Sequence, residues 1–217
     1  MNFEQARFNM IEQQIRPWDV LDASVLALLA VVKREDFVPA AYRNMAFTDT
    51  ELPLGGGQHM LAPRVEARLL QELQLQRHEK VLEIGTGSGY MAALLGHKAQ
   101  QVFSLERDAQ LAAQARESLR RAGVLNVTVL EADGAAGLPG EAPFDAILLS
   151  GSVAQLPQAL LDQLKVGGRL VAVVGEEPVM VARRVRRAGE RDFQSEVLFD
   201  TVLPRLAGFE PAPAFHF

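Results

Sequence analysis

Short apolar segments alternate with helix-like segments between residues 77 and 175, and this alternation constrains the fold more than any other feature of the chain. The apolar segments are EKVLEIG (79–85), QVFSLE (101–106), NVTVLEA (126–132), FDAILLS (144–150) and GGRLVAVVG (167–175). The last two are apolar almost throughout, as strands are when both faces of a parallel sheet are covered. The sequence therefore predicts a doubly wound α/β fold with a mostly parallel, Rossmann-like sheet.

The chain before this alternation is predicted to be helical. From Asp22 onward, apolar residues recur at the spacing i, i+3, i+4, i+7, which indicates a helix capped by that aspartate. Residues 2–15 and 63–75 are also predicted to form helices, and the proline at position 17 should end the first of them. A segment with three consecutive glycines, residues 55–57, lies between the second and third helices.

The chain after residue 175 no longer alternates between apolar and helix-like segments. VMVARRVRR and SEVLFDTVL predict two antiparallel strands at the sheet edge. The arginines of residues 183–187 would then lie on a solvated outer strand and discourage further pairing. We expect one domain over residues 1–217, with N-terminal helices and the glycine-rich loop (1–76), an α/β core (77–175), and C-terminal strands with a tail (176–217).

The composition argues against several classes of protein. The formal net charge of −5 disfavours non-specific binding to nucleic acid. No run approaches the roughly 20 apolar residues of a membrane span, and the N-terminal residues lack the pattern of a secretion signal. The chain has no cysteine, and its four histidines lack the spacing of a helical metal pair, so no metal site is expected. A cytoplasmic enzyme or binding protein is the expectation.

The segment VLEIGTGSGY (81–90) carries the clearest chemical signal. It is a predicted strand that ends in Gly85, Gly87 and Gly89 and leads into a helix, so a ligand can approach the backbone closely. A dinucleotide fingerprint needs its third glycine at the sixth position, where this chain has Tyr90. No Lys-Ser or Lys-Thr follows to make a phosphate-binding Walker loop. A nicotinamide oxidoreductase is therefore disfavoured.

Acidic residues lie at or near the carboxyl ends of the first three predicted strands. Glu106 is placed to accept both hydroxyls of a ribose, Asp133 to accept from an adenine amine, and Glu83 to accept from an ammonium group. S-adenosylmethionine carries all three groups. The candidate cofactor-binding residues are Glu83, Gly85, Thr86, Gly87, Ser88, Gly89, Glu106, Arg107, Asp133 and Gly134.

Nearly the whole chain resembles the protein-L-isoaspartate O-methyltransferases. The resemblance rests on MIEQQIRP (10–17), VKREDFVP (32–39), LPLGGGQHMLAP (52–63), VLEIGTGSGY (81–90), the acidic residue at 106, NVTV with DG (126–134), PFDAILLS (143–150) and LKVGGRLVAVVGE (164–176). It implies methyl transfer from S-adenosylmethionine to the abnormal carboxylate of isoaspartyl residues, which starts their repair through a succinimide. The expected partners are damaged proteins or peptides that contain isoaspartyl residues. No feature of the sequence specifies an oligomeric state.

The glycine-rich loop departs from the family pattern. The family usually has Gly-x-Gly-Gln-Thr-Ile-Ser-x-Pro, with the serine hydroxyl beside the methyl-transfer site. This chain has His59 at the threonine position and Leu61 at the serine position. The resemblance makes Gln58, His59 and Leu61 the candidate catalytic positions. Gln58, His59 or the hydroxyls of Ser150 and Ser152, which follow the fourth predicted strand and are expected to face the same crevice, could replace the missing serine. We expect the loop to be a lid with glycine hinges.

Two other functions stay open because of this departure. One is a methyltransferase with the same cofactor site and a different acceptor, and the other is a non-catalytic S-adenosylmethionine-binding protein. The family's C-terminal Val-Arg-Phe-Val-Pro, which helps hold the peptide, is matched only loosely by residues 201–205. Arg205 is a candidate carboxylate partner, and the tail after it has no assigned counterpart.

Overall fold

The computed structural model describes residues 2–209, and its N-terminal part is helical around a small hairpin. The elements are α1 (Phe3–Met10), α2 (Ala23–Val31), β1 (Leu52–Gly55), β2 (Gln58–Met60) and α3 (Pro63–Leu73). The helix predicted over 2–15 is only partly α-helical. After α1 ends at Met10, the chain continues as a π-helical turn at Ile11–Ile15 and a 3-10 turn at Arg16–Trp18. Asp22 caps α2 as predicted, accepting from the backbone N–H of Ser24 at 2.7 Å.

The glycine-rich segment forms the tip of an antiparallel hairpin. Leu52 pairs with Met60, and β1 and β2 are connected through the three glycines. Gly55, Gly56 and Gly57 have φ angles of +101°, +57° and +77°, a region that residues with a Cβ rarely adopt. The loop is therefore an ordered two-stranded unit, and its expected role as a lid stays a prediction.

The centre of the structure is a seven-stranded sheet in the order β5-β4-β3-β6-β7-β8-β9. Its strands are β3 (Lys80–Ile84), β4 (Gln101–Glu106), β5 (Val127–Glu131), β6 (Phe144–Val153), β7 (Leu164–Glu176), β8 (Val179–Arg187) and β9 (Phe193–Asp200). The first five of these strands, β3 to β7, are parallel to one another, and β8 and β9 add antiparallel strands next to β7. The predicted mostly parallel sheet with an antiparallel C-terminal edge is confirmed.

The sheet has apolar packing on both faces because side chains alternate along each strand. Val81 and Val102 join the cluster that contains α3, α4 (Tyr90–Lys98) and α5 (Ala109–Arg121). Leu82 and Phe103 join the cluster on the opposite face, which contains α6 (Gln158–Leu161) and Phe209. Within residues 2–209, no helix is both long enough and apolar enough to cross a lipid bilayer.

The prediction that the arginines of residues 183–187 lie on the outer strand was wrong. Their strand, β8, is paired on both sides, and β9 forms the edge instead. Arg184 is buried and forms ion pairs with Glu72 of α3 and Glu196 of β9. A strand can carry charges in the interior of a sheet when neighbouring elements supply opposite charges, and these partners are too distant in sequence for the local pattern to show them.

Candidate active site

The glycine loop follows β3 and turns sharply into α4. Gly85, Gly87 and Gly89 have φ angles of +91°, +51° and +84°. A Cβ at Gly85 would lie 2.8 Å from Leu206, and a Cβ at Gly89 would lie 3.3 Å from the Cα of Ala115. Both the backbone conformation and the lack of space therefore require glycine here, and the loop leaves main-chain atoms open to a ligand.

Glu106 is fixed at the carboxyl end of β4 by two backbone donors. Its Oε2 accepts from the N–H of Gly87 at 2.8 Å, and its Oε1 accepts from the N–H of Asp108 at 3.0 Å. The carboxylate therefore bridges the glycine loop and the start of α5. Each oxygen keeps a lone pair, so the pair can accept two neighbouring hydroxyl groups of a ribose.

A crevice of about 250 Å³ opens beside Glu106. It is lined by Gln58, Ile84, Gly85, Leu105, Glu106, Arg107, Asp108, Ala132, Gly134, Leu206 and Ala207. The structure thus brings together predicted residues from three strand ends. Asp133 lies between two lining residues, and its carboxylate accepts from the N–H of Ala135 at 3.0 Å. Its expected contact with an adenine amine stays a prediction.

Six lining residues were not among the predicted site residues: Ile84, Leu105, Asp108, Ala132, Leu206 and Ala207. The last two come from a separate part of the chain. Leu206 and Ala207 belong to the C-terminal segment that the sequence analysis left unassigned, of which residues 210–217 lie outside the described part. The segment is held by Ser152, whose N–H donates to the carbonyl of Pro204 at 2.8 Å and whose carbonyl accepts from Leu206 at 2.9 Å. The sequence offers no local motif for this arrangement.

A second, smaller cavity of about 20 Å³ is lined by residues of the glycine loop and the hairpin. Its lining residues are His59, Met60, Leu61, Glu66, Gly85, Thr86, Gly87, Ser88, Met91 and Ser150. Of the three candidate catalytic positions, His59 and Leu61 line this cavity, whereas Gln58 lines the crevice. The hairpin strand β2 and the residue after it therefore contribute to both spaces, and Gly85 belongs to both.

A buried arginine, Arg34, is hydrogen-bonded to the backbone at the end of the hairpin. Arg34 is 1% exposed and donates through Nε to the carbonyl of Ala46 at 2.9 Å and through Nη2 to the carbonyl of Leu61 at 2.6 Å. It also forms an ion pair with Glu66. Burial raises the pKa of Glu66 to about 7, although the Arg34 guanidinium opposes the shift. Arg34 belongs to the segment VKREDFVP, but no pattern in the sequence predicted this role for it.

Glu83 is wholly buried in β3, and each of its two carboxylate oxygens accepts a hydrogen bond from a serine hydroxyl. Ser104 Oγ lies 2.6 Å from Oε2, and Ser150 Oγ lies 2.9 Å from Oε1. Ser104 Oγ also lies 2.5 Å from Thr86 Oγ1, which connects the group to the glycine loop. Burial raises the pKa of Glu83 to about 8. Its expected contact with an ammonium group stays a prediction, because Ser150 stands between Glu83 and the small cavity.

Arg205 is close to the same end of the sheet. Its Nη2 donates to the carbonyl of Gly175 at 2.8 Å, and within residues 2–209 its buried Nη1 has no hydrogen-bond partner. The structure describes no anionic partner for this side chain, so its expected contact with a carboxylate stays a prediction.

The parallel sheet, the glycine loop after its first strand and the carboxylate at the end of the next strand define a Rossmann-like fold of the class I methyltransferase type. The family model for protein-L-isoaspartate(D-aspartate) O-methyltransferase (PCMT) matches residues 5–204. The chain belongs to this family.

Individual relatives agree with the family match. A Syntrophobacter fumaroxidans protein called protein-L-isoaspartate O-methyltransferase 1 is 47% identical over 81% of this chain and 82% of its own length. A Pelobacter propionicus protein called protein-L-isoaspartate O-methyltransferase 2 is 42% identical over 96% of this chain and 93% of its own length.

A solved structure shares the fold. It is a Plasmodium falciparum chain, described as a protein-L-isoaspartate O-methyltransferase in complex with S-adenosyl-L-homocysteine. It superposes with a TM-score of 0.80 at 21% identity and covers 94% of this chain and 97% of its own.

Proposed function

We propose that this protein transfers a methyl group from S-adenosylmethionine to the carboxylate of isoaspartyl residues in proteins and peptides. The observation that carries the proposal is the position of Glu106, which two backbone N–H groups hold at the crevice, next to a second cavity under the hairpin. The crevice suits a nucleoside, and the second cavity marks the place where the group that receives the methyl would enter after the hairpin moves. Family membership supports the same assignment.

The crevice residues fit the cofactor by their chemistry. Glu106 would hold the ribose hydroxyls, and the backbone at Gly134 would lie near the base. A Cβ at Gly134 would come within 2.3 Å of Ile84, so this position requires glycine and leaves the crevice floor open. When bound, the cofactor supplies a methyl group on a sulfonium, which a carboxylate oxygen can accept without any proton transfer.

The task of this chain is therefore alignment of the acceptor. A carboxylate with a pKa near 4 is ionised at neutral pH, so its attack needs no general base. Leu61, Met60 and Met91 give the small cavity part of its lining as apolar side chains. Alignment of two reacting groups at near-attack distance contributes about 7–11 kcal/mol to catalysis in well-oriented systems. Arg34 contributes by fixing the carbonyl of Leu61 at the end of the hairpin.

The cavity under the hairpin is too small for an acceptor in the described conformation. Its volume of about 20 Å³ is that of roughly one water molecule. We therefore infer that the hairpin moves when the acceptor enters. The positive φ angles of its tip glycines support a hinge there, because glycine changes backbone conformation at low cost.

The test is methyl transfer to two matched peptides, one with an isoaspartyl residue and one with a normal aspartyl residue at the same place. We expect labelled methyl to appear only in the isoaspartyl peptide. Equal labelling of both peptides, or no labelling of either, would contradict the proposal. A crude lysate supplied as acceptor separates the remaining possibilities, because label in other molecules indicates a different acceptor.

A different acceptor is the second candidate, and one observation favours it. Leu61, at the position that the resemblance assigns to serine, is buried at 5% exposure and presents an apolar surface to the small cavity. An apolar wall suits a larger or less polar acceptor. Tight binding of S-adenosylhomocysteine without transfer to any acceptor would instead indicate a non-catalytic binding protein.

A further inference from the structure

Three hydroxyl side chains line the small cavity under the hairpin, at Thr86, Ser88 and Ser150. The hydroxyl of Thr86 is turned toward Ser104, 2.5 Å away. Ser88 Oγ lies in the glycine loop and accepts from the N–H of Tyr90 at 3.3 Å. Ser150 is different, because it lies in a strand of the sheet and its hydroxyl is hydrogen-bonded to the buried carboxyl group of Glu83.

We propose that Ser150 is the hydroxyl that holds the acceptor carboxylate during methyl transfer, and that Glu83 is the residue that positions it. This inference rests on the function proposed above. Of the hydroxyls expected to replace the family serine, the structure places Ser150 in the lining of the small cavity, whereas Ser152 does not line it. The contact is thereby assigned to a strand of the sheet and not to the hairpin, where this chain has Leu61. Ser150 would touch the acceptor, whereas Glu83 would act only through Ser150.

The first support is the rigidity of the arrangement. Ser150 is in β6 and Glu83 is in the adjacent strand β3, at the carboxyl ends of two hydrogen-bonded parallel strands. Glu83 is 0% exposed, and Ser104 of β4 fixes its second oxygen. Three neighbouring strands thus determine where the Ser150 hydroxyl points. A hydroxyl held by regular strands is more precisely placed than one on a hairpin that must move.

The second support is the charge state of Glu83. Burial raises its pKa to about 8, with Glu66 and Glu106 acting in the same direction and its two serine partners opposing. In the structure Ser150 Oγ donates to Glu83 Oε1. Because the raised pKa favours the protonated carboxyl group near neutral pH, this hydrogen bond can reverse when an acceptor carboxylate binds, so that Glu83 donates to Ser150 Oγ. Ser150 is then free to donate its own proton toward an acceptor carboxylate, as a hydroxyl has one donor and two acceptor sites.

The third support is the composition of the opposite wall. On the hairpin side, Met60 and Leu61 line the cavity and have no side-chain hydrogen-bond donor. His59 also lines it, but His59 is exposed to solvent and lies in the hairpin, not in the seven-stranded sheet. Arg34 is close to Leu61, but its Nε and Nη2 are engaged by carbonyl groups and its Nη1 by Glu66. Among the side chains that line this cavity, Ser150 is thus the hydroxyl best placed to meet the acceptor.

The test compares three variants in the isoaspartyl peptide assay: Ser150→Ala, Ser150→Thr and Ser152→Ala. Ser150→Ala removes the hydroxyl, and Ser150→Thr keeps it. Ser152→Ala is the matched control, because Ser152 is on the same strand and buried, but within residues 2–209 its Oγ has no hydrogen-bond partner, and Ser152 does not line the cavity. Ser152 holds the C-terminal segment only through its backbone N–H and carbonyl, which alanine keeps. Calorimetry with S-adenosylhomocysteine reports on the cofactor site of each variant.

We expect Ser150→Ala to lower kcat/KM for the isoaspartyl peptide by about 10-fold to 100-fold, the usual effect of losing a hydrogen bond to a charged group. Affinity for S-adenosylhomocysteine should not change, and Ser150→Thr should recover most of the activity. The inference is overturned if Ser150→Ala behaves like Ser152→Ala. It is also overturned if cofactor affinity falls in parallel with kcat/KM, because the residue would then have only a structural role.

A second measurement uses the hairpin. Leu61→Ser, added to Ser150→Ala, places a hydroxyl on the opposite wall, so we expect it to restore part of the lost kcat/KM. The same change in the unaltered chain should have a smaller effect, and equal effects in both backgrounds would count against the inference. An unaltered protein that labels no isoaspartyl peptide overturns the proposed function together with this inference. An active protein that tolerates Ser150→Ala overturns the inference alone.

Discussion

The two sides of the site are built differently. On the cofactor side, the glycine loop, Glu106 and Asp108 belong to one continuous strand-loop-helix-strand-helix segment, and their hydrogen bonds join residues at most 19 positions apart. On the acceptor side, Arg34 reaches the carbonyl of Leu61 across 27 positions and Glu66 across 32. The cofactor side uses backbone donors and glycines, whereas the acceptor side depends on buried charges.

This difference shows which parts of a site tolerate sequence change. Backbone donors and positive φ angles allow few residue types at each position of the glycine loop. The cofactor side can therefore be recognised in the sequence as a short motif. The acceptor side consists of side chains whose partners are supplied by separate segments, so one contact can be moved to another element. The hairpin position of Leu61 and the sheet position of Ser150 illustrate such a change.

The largest expected effect comes from breaking the buried charges of the acceptor side. Arg34→Met removes the cation that faces Glu66 and the donors to the carbonyls of Ala46 and Leu61. We expect the free energy of unfolding in urea to fall by about 3–5 kcal/mol, since one member of a buried ion pair is left alone. Adding Glu66→Gln should recover part of the loss.

An exposed ion pair provides the control for this experiment. Arg120 and Glu117 form a pair on α5 whose side chains are 71% and 50% exposed. Arg120→Ala should leave stability nearly unchanged, as solvent screens such pairs. If Arg34→Met were as mild as Arg120→Ala, the acceptor side would not depend on its buried charges.

A smaller effect is expected on the cofactor side from Glu106→Gln. The amide offers one acceptor oxygen where the carboxylate offers two, so the N–H of either Gly87 or Asp108 loses its partner. Affinity for S-adenosylhomocysteine in calorimetry should fall by about 10-fold to 100-fold.

Glu131 serves as the matched control because it pairs in register with Glu106 and is exposed. Glu131→Gln should leave the affinity for S-adenosylhomocysteine unchanged. The assignment of Glu106 would be contradicted if both substitutions gave the same affinity as the unaltered chain.

A third effect concerns the dependence of stability on pH. Burial raises the pKa of Glu83 from 4.5 to about 8, so the folded chain binds a proton that the unfolded chain releases between these values. Stability should therefore fall as pH rises through this window, by at most about 1.4 kcal/mol per pH unit for each such group.

Glu83→Gln removes this contribution, so urea unfolding of the variant should depend less on pH. Its stability relative to the unaltered chain should improve from about pH 5 to about pH 8. Some dependence should remain below pH 7 because burial also raises the pKa of Glu66 to about 7. Parallel curves for the two proteins would show that Glu83 is ionised in the folded state.

The same contrast explains how much the sequence could predict. The strands, the helix cap at Asp22 and the glycine loop were predictable because each depends on neighbours in the chain. The position of Arg184 was not, since its partners at Glu72 and Glu196 come from other elements. The roles of Arg34 and Leu206 were also missed, because packing between distant segments determines them and no local pattern records it.

The crystal structure of the protein with S-adenosylhomocysteine tests the central claim most directly. The account predicts the nucleoside in the crevice at the ends of β3, β4 and β5, with the ribose hydroxyls on Glu106 and the sulfur directed toward the cavity beneath the hairpin. A crevice without the nucleoside, or a ligand bound elsewhere on the chain, would contradict this expectation.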